Sequence, residues 1–315
     1  MKNFLSVHDV IQPEALALQA IQLKQNKFAY QNLGKNKTMV LVFLNSSLRT
    51  RLSTQKAAQN LGMQTIVLNL NQDSWSMEYE DGAIMNEGKA EHIKEGAAVI
   101  SEYADIIGIR AFPSLTDKIK DDQEYVLNKF LENVKVPIVN MESATVHPLQ
   151  SLTDLMTIRE NTAKKRPKVV LSWAPHVRAL PQCVANSFAE WMNHADVDFT
   201  ITHPKGYELS EKFSGNATII NNQLEAFEGA DFIYAKNWSS YNDYGKVIEV
   251  QEDWIINNKK MQLTNDGKFM HCLPTRRNVE VADDVLDSNY SLVIQQAANR
   301  EFAAQAVLKN ILENN

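Results

Sequence analysis

Two doubly wound, parallel-sheet α/β domains joined by interdomain helices are the fold class this sequence predicts, and three observations carry the prediction. Short β-branched apolar runs alternate with amphipathic helical stretches, the pattern of parallel βαβ units. The alternation restarts about halfway along, after one long helical segment. The chain has 315 residues, more than one ordinary domain and enough for two of about 150 residues each.

The elements follow in order. "TMVLVFLN" (Thr38–Asn45) reads as a buried strand and the stretch after it as a helix ending at Gly62. "QTIVLNL" (Gln64–Leu70) is the next strand, followed by a polar loop from Asn71 to about Gly88. A helix over His92–Ala104, a strand over Asp105–Ala111, a helix over Asp121–Val134 and a strand over Pro137–Ser143 complete the first half. "HPLQSLTDLMTIREN" (His147–Asn161) reads as the long helix, and the domain boundary is placed near Gln150, giving domains 1–150 and 151–298. In the second half, strands are predicted over Arg166–Pro175, Asp196–Pro204, Asp231–Trp238, Lys268–Pro274 and Ser291–Ala297. The terminal helix, 299–315, is expected to return and pack on the first domain.

Composition narrows the function class. The formal charge is −6, from 32 basic and 38 acidic residues, with no basic stripe, which argues against nucleic acid as a partner. No apolar run approaches the roughly 18 residues that cross a bilayer, and the N-terminal stretch lacks a signal peptide's apolar core. Two cysteines, Cys183 and Cys272, argue for a reducing compartment rather than a disulfide framework. The expectation is a cytoplasmic enzyme with no membrane association. Neither a G-x-G-x-x-G nor a P-loop pattern occurs, which disfavours a nucleotide site and an oxidoreductase of the dinucleotide-binding kind. His92 and Glu95 share a helical face, but the ordinary reading is a solvated helix, and no metal site is predicted.

Chemistry concentrates at strand ends. Ser46, Ser47, Arg49, Thr50 and Arg51 sit where a buried strand turns into a helix. In open α/β sheets, ligands bind beyond the carboxyl ends of the strands, and a helix N-terminus offers free N–H groups and a positive dipole end to an anion. A serine N-cap followed by solvated arginines would look the same in isolation. Three other strand ends are equally rich: Arg110 closes one, Glu142, His147 and Gln150 follow another, and His271, Cys272 and Arg276 follow a third. Such ends converge on one crevice.

Taken together, Ser47-Leu48-Arg49-Thr50, His147-Pro148-Leu149-Gln150, His271-Cys272-Leu273-Pro274 and Gln295–Arg300 resemble, in order, the S-x-R-T, H-P-x-Q, H-C-L-P and arginine-bearing segments of the transcarbamylase family. The resemblance spans nearly the whole chain. It implies a domain that binds carbamoyl phosphate, a second that binds an amino acid, no metal or organic cofactor, and a homotrimer with shared active sites. It implies that Ser47, Leu48, Arg49 and Thr50 hold the phosphoryl group, that Arg110, His147 and Thr50 polarise the carbamoyl oxygen, and that Gln150 and the Leu273 carbonyl orient the carbamoyl amide. Cys272 belongs to the same site, Arg300 closes the anion pocket, and Trp75 reaches a neighbour's site from the 71–88 loop.

The acceptor amine is read from departures. The ornithine branch carries D-x-W-x-S-M-G in its second domain, and this chain has "YAKNWSSYNDYG" (Tyr234–Gly245) there. Lys236 would repel an α-ammonium and attract a carboxylate or a blocked amine's carbonyl. Several segments, among them "DGAIMNEGKAEHI" (Asp81–Ile93), resemble the N-acylornithine branch instead. There Glu142 is expected near the substrate's chain, and His176 and Arg178 near its carboxylates. Acetylornithine enzymes carry a glutamate before the Glu-His pair, where this chain has Ala90 before Glu91-His92. Alanine removes bulk and negative charge, which favours a succinyl over an acetyl group. The expectation is an N-succinylornithine carbamoyltransferase. The alternatives are an acetylornithine or ornithine enzyme and, in a different class, a non-catalytic anion-binding paralogue.

Overall fold

A computed structural model describes residues 1–250 and 253–314. Its first sheet is built from β1 (Thr38–Phe43), β2 (Gln64–Asn69), β5 (Ile106–Arg110) and β6 (Ile138–Glu142), in the order β2-β1-β5-β6. Its second is built from β7 (Lys168–Trp173), β8 (Asp198–Thr202), β9 (Thr218–Ile220), β10 (Phe232–Lys236) and β11 (Lys268–Met270), in the order β11-β10-β7-β8-β9. All neighbours in both are parallel. The remaining short strands, β3 (Met77–Glu78) and β4 (Glu91–His92), pair with each other outside the sheets. The architecture is thus two parallel-sheet α/β domains.

The strand order matters more than the strand count. In the first sheet the chain moves from β1 to β2 on one side and later to β5 on the other, so the order reverses between β1 and β5. In the second it reverses between β7 and β10. Loops diverge at such switch points and leave a crevice. Phe43 pairs with Arg110, so the carboxyl ends of β1 and β5 are level. Trp173 pairs with Lys236, so those of β7 and β10 are level too. A register shift between Ile109 and Arg110 sets Arg110 opposite Glu142. Such irregularities re-aim side chains, and this one brings a guanidinium and a carboxylate onto the same side.

The helix Arg49–Asn60 follows β1 because Thr50, Thr54, Ala57 and Ala58 form one buried stripe. It starts where Ser47 Oγ accepts from the Thr50 N–H at 3.2 Å and stops before Gly62, whose φ is +85°. The helix Pro148–Glu160 is buried from Pro148 through Ile158 because elements of both lobes surround it. Its buried hydroxyls are all engaged: Ser151 donates to Ser187 at 2.9 Å, Thr153 to the Leu149 carbonyl at 2.7 Å and Thr157 to the Thr153 carbonyl at 2.8 Å. The last helix, Val293–Leu312, packs on the helices Arg49–Asn60, Pro148–Glu160 and Pro13–Gln25. One apolar core runs through the contact, from Phe43 and Leu61 through Leu152 and Leu155 to Phe188 and Tyr234.

Several expectations are corrected. Ser291–Ala297 is no strand: Val293 already begins the last helix, and only Ser291 keeps a bridge, to Phe269. Its short apolar run is the first buried turn of a longer helical stripe. The helix expected over Asp121–Val134 is two, Lys118–Asp122 and Tyr125–Asn133, broken at Glu124 with φ +53°. There the Glu124 carboxylate accepts from the Thr145 N–H at 2.8 Å and from Ser143 Oγ at 2.7 Å, fixing the turn before His147. Within the loop expected over 71–88, the end of a short helix (Leu70–Asp73) and β3 appear. The strand expected over Lys268–Pro274 ends at Met270, and the rest is a turn with Leu273 at φ +54° and a cis Leu273–Pro274 bond. Among the described residues no helix is long and apolar enough to cross a membrane.

Gly62 ends the helix that begins at the anion-rich turn, and a Cβ there would lie 2.0 Å from the Gln31 carbonyl oxygen. Gly62→Ala is expected to destabilise the fold by about 1–3 kcal/mol, read as a lowered midpoint in urea unfolding. An unchanged midpoint would show that the turn relaxes without cost.

Candidate active site

The two switch points face each other across a cavity of about 200 Å³. From the first lobe it receives Ser47, Arg49, Thr50, Arg110, Phe112, Glu142, His147 and Gln150; from the second, His176, Lys236, Cys272, Leu273 and Pro274; and from the last helix, Arg300. Leu180, Pro181, Cys183 and Val184 form an apolar wall around the start of the helix Cys183–Asn193.

Thr50 is the centre of the anion-facing side. Its hydroxyl oxygen accepts from Arg300 Nη2 at 2.7 Å and from Arg110 Nη1 at 3.4 Å. Arg300 Nη1 also donates to Gln150 Oε1. Arg110 Nη1 is paired with Glu142 Oε2, and His147 Nε2 lies 3.3 Å from the same oxygen. The Cys183 thiol donates to Glu142 Oε1 at 3.3 Å. One carboxylate therefore occupies donors from three different segments. Arg49 completes the guanidinium group, half-buried at the helix start.

Burial and like charge shape the titration. Burial, and then the charges of Arg300, Arg110 and Arg49, hold the His147 pKa well below the usual histidine value, so His147 is neutral at neutral pH. Burial lowers Arg300 to about 10 and pulls Arg49 down as well. Burial pushes both thiols up and the Glu142 charge adds to it, with Cys183 also hydrogen-bonded to that carboxylate, so neither is a thiolate nucleophile. Nε of Arg110, Nε of Arg300 and Nδ1 of His147 are buried with no hydrogen-bond partner among the described residues. A crevice with more buried positive than negative charge, and with unpaired polar atoms, is suited to an anion.

On the second lobe, Lys236 is buried at the end of β10, and its ammonium makes no hydrogen bond or ion pair among the described residues. His176 Nε2 accepts the Arg276 Nε–H at 3.1 Å, which leaves the ring proton on Nδ1 to donate to the Arg178 carbonyl at 2.9 Å. Arg276 thus steadies His176 rather than entering the crevice. Arg178 lines an adjoining cavity of about 210 Å³ that shares His176 and is walled by Trp173, Tyr207 and Trp238.

Of the residues singled out at strand ends or assigned to the site in the sequence, Ser46, Leu48, Arg51, Trp75, Ala90, Arg178, His271 and Arg276 do not line the main crevice. Leu48 is exposed at the helix start. Trp75 is 56% exposed and donates from Nε1 to Glu91 Oε2 at 2.8 Å. Ala90 is exposed in the same segment. Arg51 turns away to Asn69 and lies over the Phe43 ring. His92 caps the helix Ile93–Glu102, accepting from the Lys94 N–H. Among the described residues no group of three or more His, Cys, Asp or Glu side chains is gathered as a metal site.

Sequence reading missed the residues behind the crevice. Asp154, one turn after Gln150, accepts from Gln150 Nε2, and burial raises its pKa to about 7. Glu280, buried beneath the His271–Pro274 turn, accepts from the Arg276 N–H at 2.6 Å and lies 3.8 Å from His271 Nε2. Burial works against its ionisation, but the His271 and Lys236 side chains and that N–H bring it to about 2. The i, i+4 spacing of Gln150 and Asp154 was the available signal for the first. Glu280 left none.

Comparison with known proteins fits this geometry. Residues 2–160 match the carbamoyl-P binding domain of aspartate/ornithine carbamoyltransferases, and residues 181–311 match their Asp/Orn binding domain. The chain belongs to the aspartate/ornithine carbamoyltransferase family. It is 51% identical to the N-succinylornithine carbamoyltransferase of Bacteroides fragilis (strain 638R), over 100% of this chain and 99% of that one. It is 36% identical to the N-acetylornithine carbamoyltransferase of Xylella fastidiosa (strain Temecula1), over 98% of each. A crystal structure of an N-acetyl-L-ornithine transcarbamylase mutant complexed with carbamyl phosphate and N-succinyl-L-norvaline superposes with a TM-score of 0.90 at 35% identity, over 99% of this chain and 100% of that one.

If Glu142 stands where an anion binds, Glu142→Gln should leave the guanidinium cluster undercompensated and lower stability by about 1–3 kcal/mol in phosphate-free buffer. Saturating inorganic phosphate should close that gap in thermal unfolding. A gap that phosphate leaves unchanged would separate Glu142 from the anion site.

Proposed function

We propose that the chain transfers the carbamoyl group of carbamoyl phosphate to the side-chain amine of an N-acylated ornithine, with N-succinyl-L-ornithine preferred, yielding the acylated citrulline and phosphate in arginine biosynthesis. The observation that carries the reading is the convergence of Arg49, Arg110 and Arg300 around Thr50 at one switch point, facing an unpaired Lys236 at the other. Full-length identity to N-succinylornithine carbamoyltransferases supports the choice of acceptor.

In this reading Ser47, Arg49, Thr50 and the Leu48 backbone hold the phosphoryl oxygens at the helix start. The carbamoyl oxygen takes Arg110, His147 and Thr50 as donors, displacing Glu142 from them. Gln150 and the Leu273 carbonyl orient the carbamoyl amide, Cys272 lines the site beside them, and Arg300 closes over the anion. The unprotonated amine attacks the carbamoyl carbon. Negative charge then grows on the carbamoyl oxygen, where each preorganised donor contributes about 3 kcal/mol. The C–O bond to phosphate breaks, and the departing phosphate takes the amine proton. Both reactants are held together, so positioning supplies much of the rate.

Lys236 faces a carboxylate or the acyl carbonyl, Glu142 the chain of the acceptor, and His176 with Arg178 its carboxylates. Trp75 and Ala90 lie outside their own crevice in an exposed segment that also carries Ile84 and Met85. That exposure supports a homotrimer in which the segment reaches the neighbouring chain's crevice, with Ala90 leaving room for the succinyl carboxylate, and the free thiols of Cys183 and Cys272 support a cytoplasmic location. N-acetylornithine is the competing acceptor.

Turnover of carbamoyl phosphate with ornithine, N-acetylornithine, N-succinylornithine and aspartate tests the assignment. N-succinylornithine should dominate, and Ala90→Glu should shift preference toward N-acetylornithine. Preference for N-acetylornithine in the unmodified chain would discard the acyl argument, and turnover of none would discard the enzyme. Sedimentation equilibrium should return the mass of three chains, and a monomer with full activity would refute the shared site.

A further inference from the structure

Asp154 is fully buried in the helix Pro148–Glu160, between the two lobes. A single oxygen, Oδ1, accepts from Gln150 Nε2 at 2.6 Å and from Gln296 Nε2 at 2.7 Å. A glutamine amide has a donating and an accepting end, and a carboxylate oxygen in this arrangement only accepts. Asp154 therefore turns the donating end of both amides inward and both amide carbonyls outward. The Gln150 carbonyl then faces Arg300, which also donates to Thr50 at 2.7 Å. The Gln296 carbonyl accepts the His271 N–H at 3.0 Å, and His271 Nδ1 in turn accepts the Leu273 N–H at 2.9 Å.

We propose that Asp154 is a positioning residue for carbamoyl transfer, setting the polarity of two glutamine amides and thereby registering the Thr50–Arg300 anion cradle against the His271–Pro274 turn across the domain boundary. It touches neither substrate in the reading above, on which the proposal rests. Its effect runs through Gln150 on one side and through Gln296 and His271 on the other. An amide reversed at either position would set an NH₂ group against Arg300 or against the His271 N–H, two donors face to face. The geometry of one half of the crevice would then slip relative to the other, and small misplacements are costly where rate comes from positioning.

The test compares Asp154→Leu, which removes both oxygens and leaves neither amide held, with Asp154→Asn, whose carbonyl oxygen can stand in the place of Oδ1 and accept from both amides. With N-succinylornithine and carbamoyl phosphate, Asp154→Leu should lower kcat about tenfold or more and raise the KM for carbamoyl phosphate. Asp154→Asn should keep kcat within about threefold of the unmodified chain. Gln296→Met cuts the link between Asp154 and the His271 N–H and should be slow as well, which reads the same coupling even where Asp154→Leu fails to fold. A merely structural aspartate would lower the melting temperature in Asp154→Leu and leave the kinetics of the folded fraction unchanged. Unchanged kinetics in folded Asp154→Leu or in Gln296→Met, or an Asp154→Asn as slow as Asp154→Leu, overturns the proposal. An unmodified chain inactive on every acceptor overturns the carbamoyl-transfer reading instead, and the comparison is then read from inorganic phosphate affinity.

Discussion

Everything around the crevice answers one electrostatic constraint: positive charge is gathered where water has been largely removed. Arg49, Arg110, Arg300 and Lys236 surround the cavity, and Glu142 is the carboxylate that pairs among them. Desolvating an unpaired cation is costly, and the lowered pKa values of Arg49 and Arg300 are its signature. The fold sustains the arrangement because rigid elements carry each group. Arg110 and Lys236 stand at strand ends, Arg49 in the first turn of a helix and Arg300 in the middle of one. Such charge suits an anion, and in the proposed function a phosphate entering the crevice meets donors already in place.

The same constraint explains why polar groups are buried so far from solvent. The two Nη groups of Arg300 donate to Thr50 and Gln150, Gln150 donates to Asp154, Gln296 donates to Asp154 as well, and Gln296 accepts the His271 N–H. The run passes from the first lobe through the interdomain helix to the second. Glu280 anchors the far end, holding the Arg276 N–H below the His271–Pro274 turn. Arg300 Nε and Asp154 Oδ2 are buried without a hydrogen-bond partner among the described residues, so the run is joined end to end but not saturated.

The strand β10 and the segment 72–90, exposed over most of its length, carry the features that distinguish this crevice from a generic anion site. Lys236 adds a buried cation whose ammonium makes no hydrogen bond or ion pair among the described residues. Trp75, Ile84 and Met85 stand exposed, away from the cavity. The apolar surface of that segment and the open charge of Lys236 are separate features of one chain, and in the proposed assembly they meet across a subunit boundary.

What the sequence by itself determined was local. Alternating apolar runs marked β1, β2, β5, β6, β7, β8 and β10, because strand burial leaves a pattern within a few residues. The ordered motifs named Ser47, Arg49, Thr50, His147, Gln150, Cys272, Leu273 and Arg300, the strand ends added Arg110 and Glu142, and all of these line one cavity. What only the tertiary structure decided was non-local. The short apolar run at Ser291–Ala297 became helix because its apolar residues pack as the first turn of the last helix. The helix expected over Asp121–Val134 broke at Glu124 because that carboxylate serves a turn some 20 residues away. Asp154 and Glu280 acquired their places from partners such as Gln296 and His271, and no periodicity records a hydrogen bond between segments 142 residues apart. Burial patterns are written along the chain, whereas the pairing of charge and polar groups is settled only when distant strand ends meet.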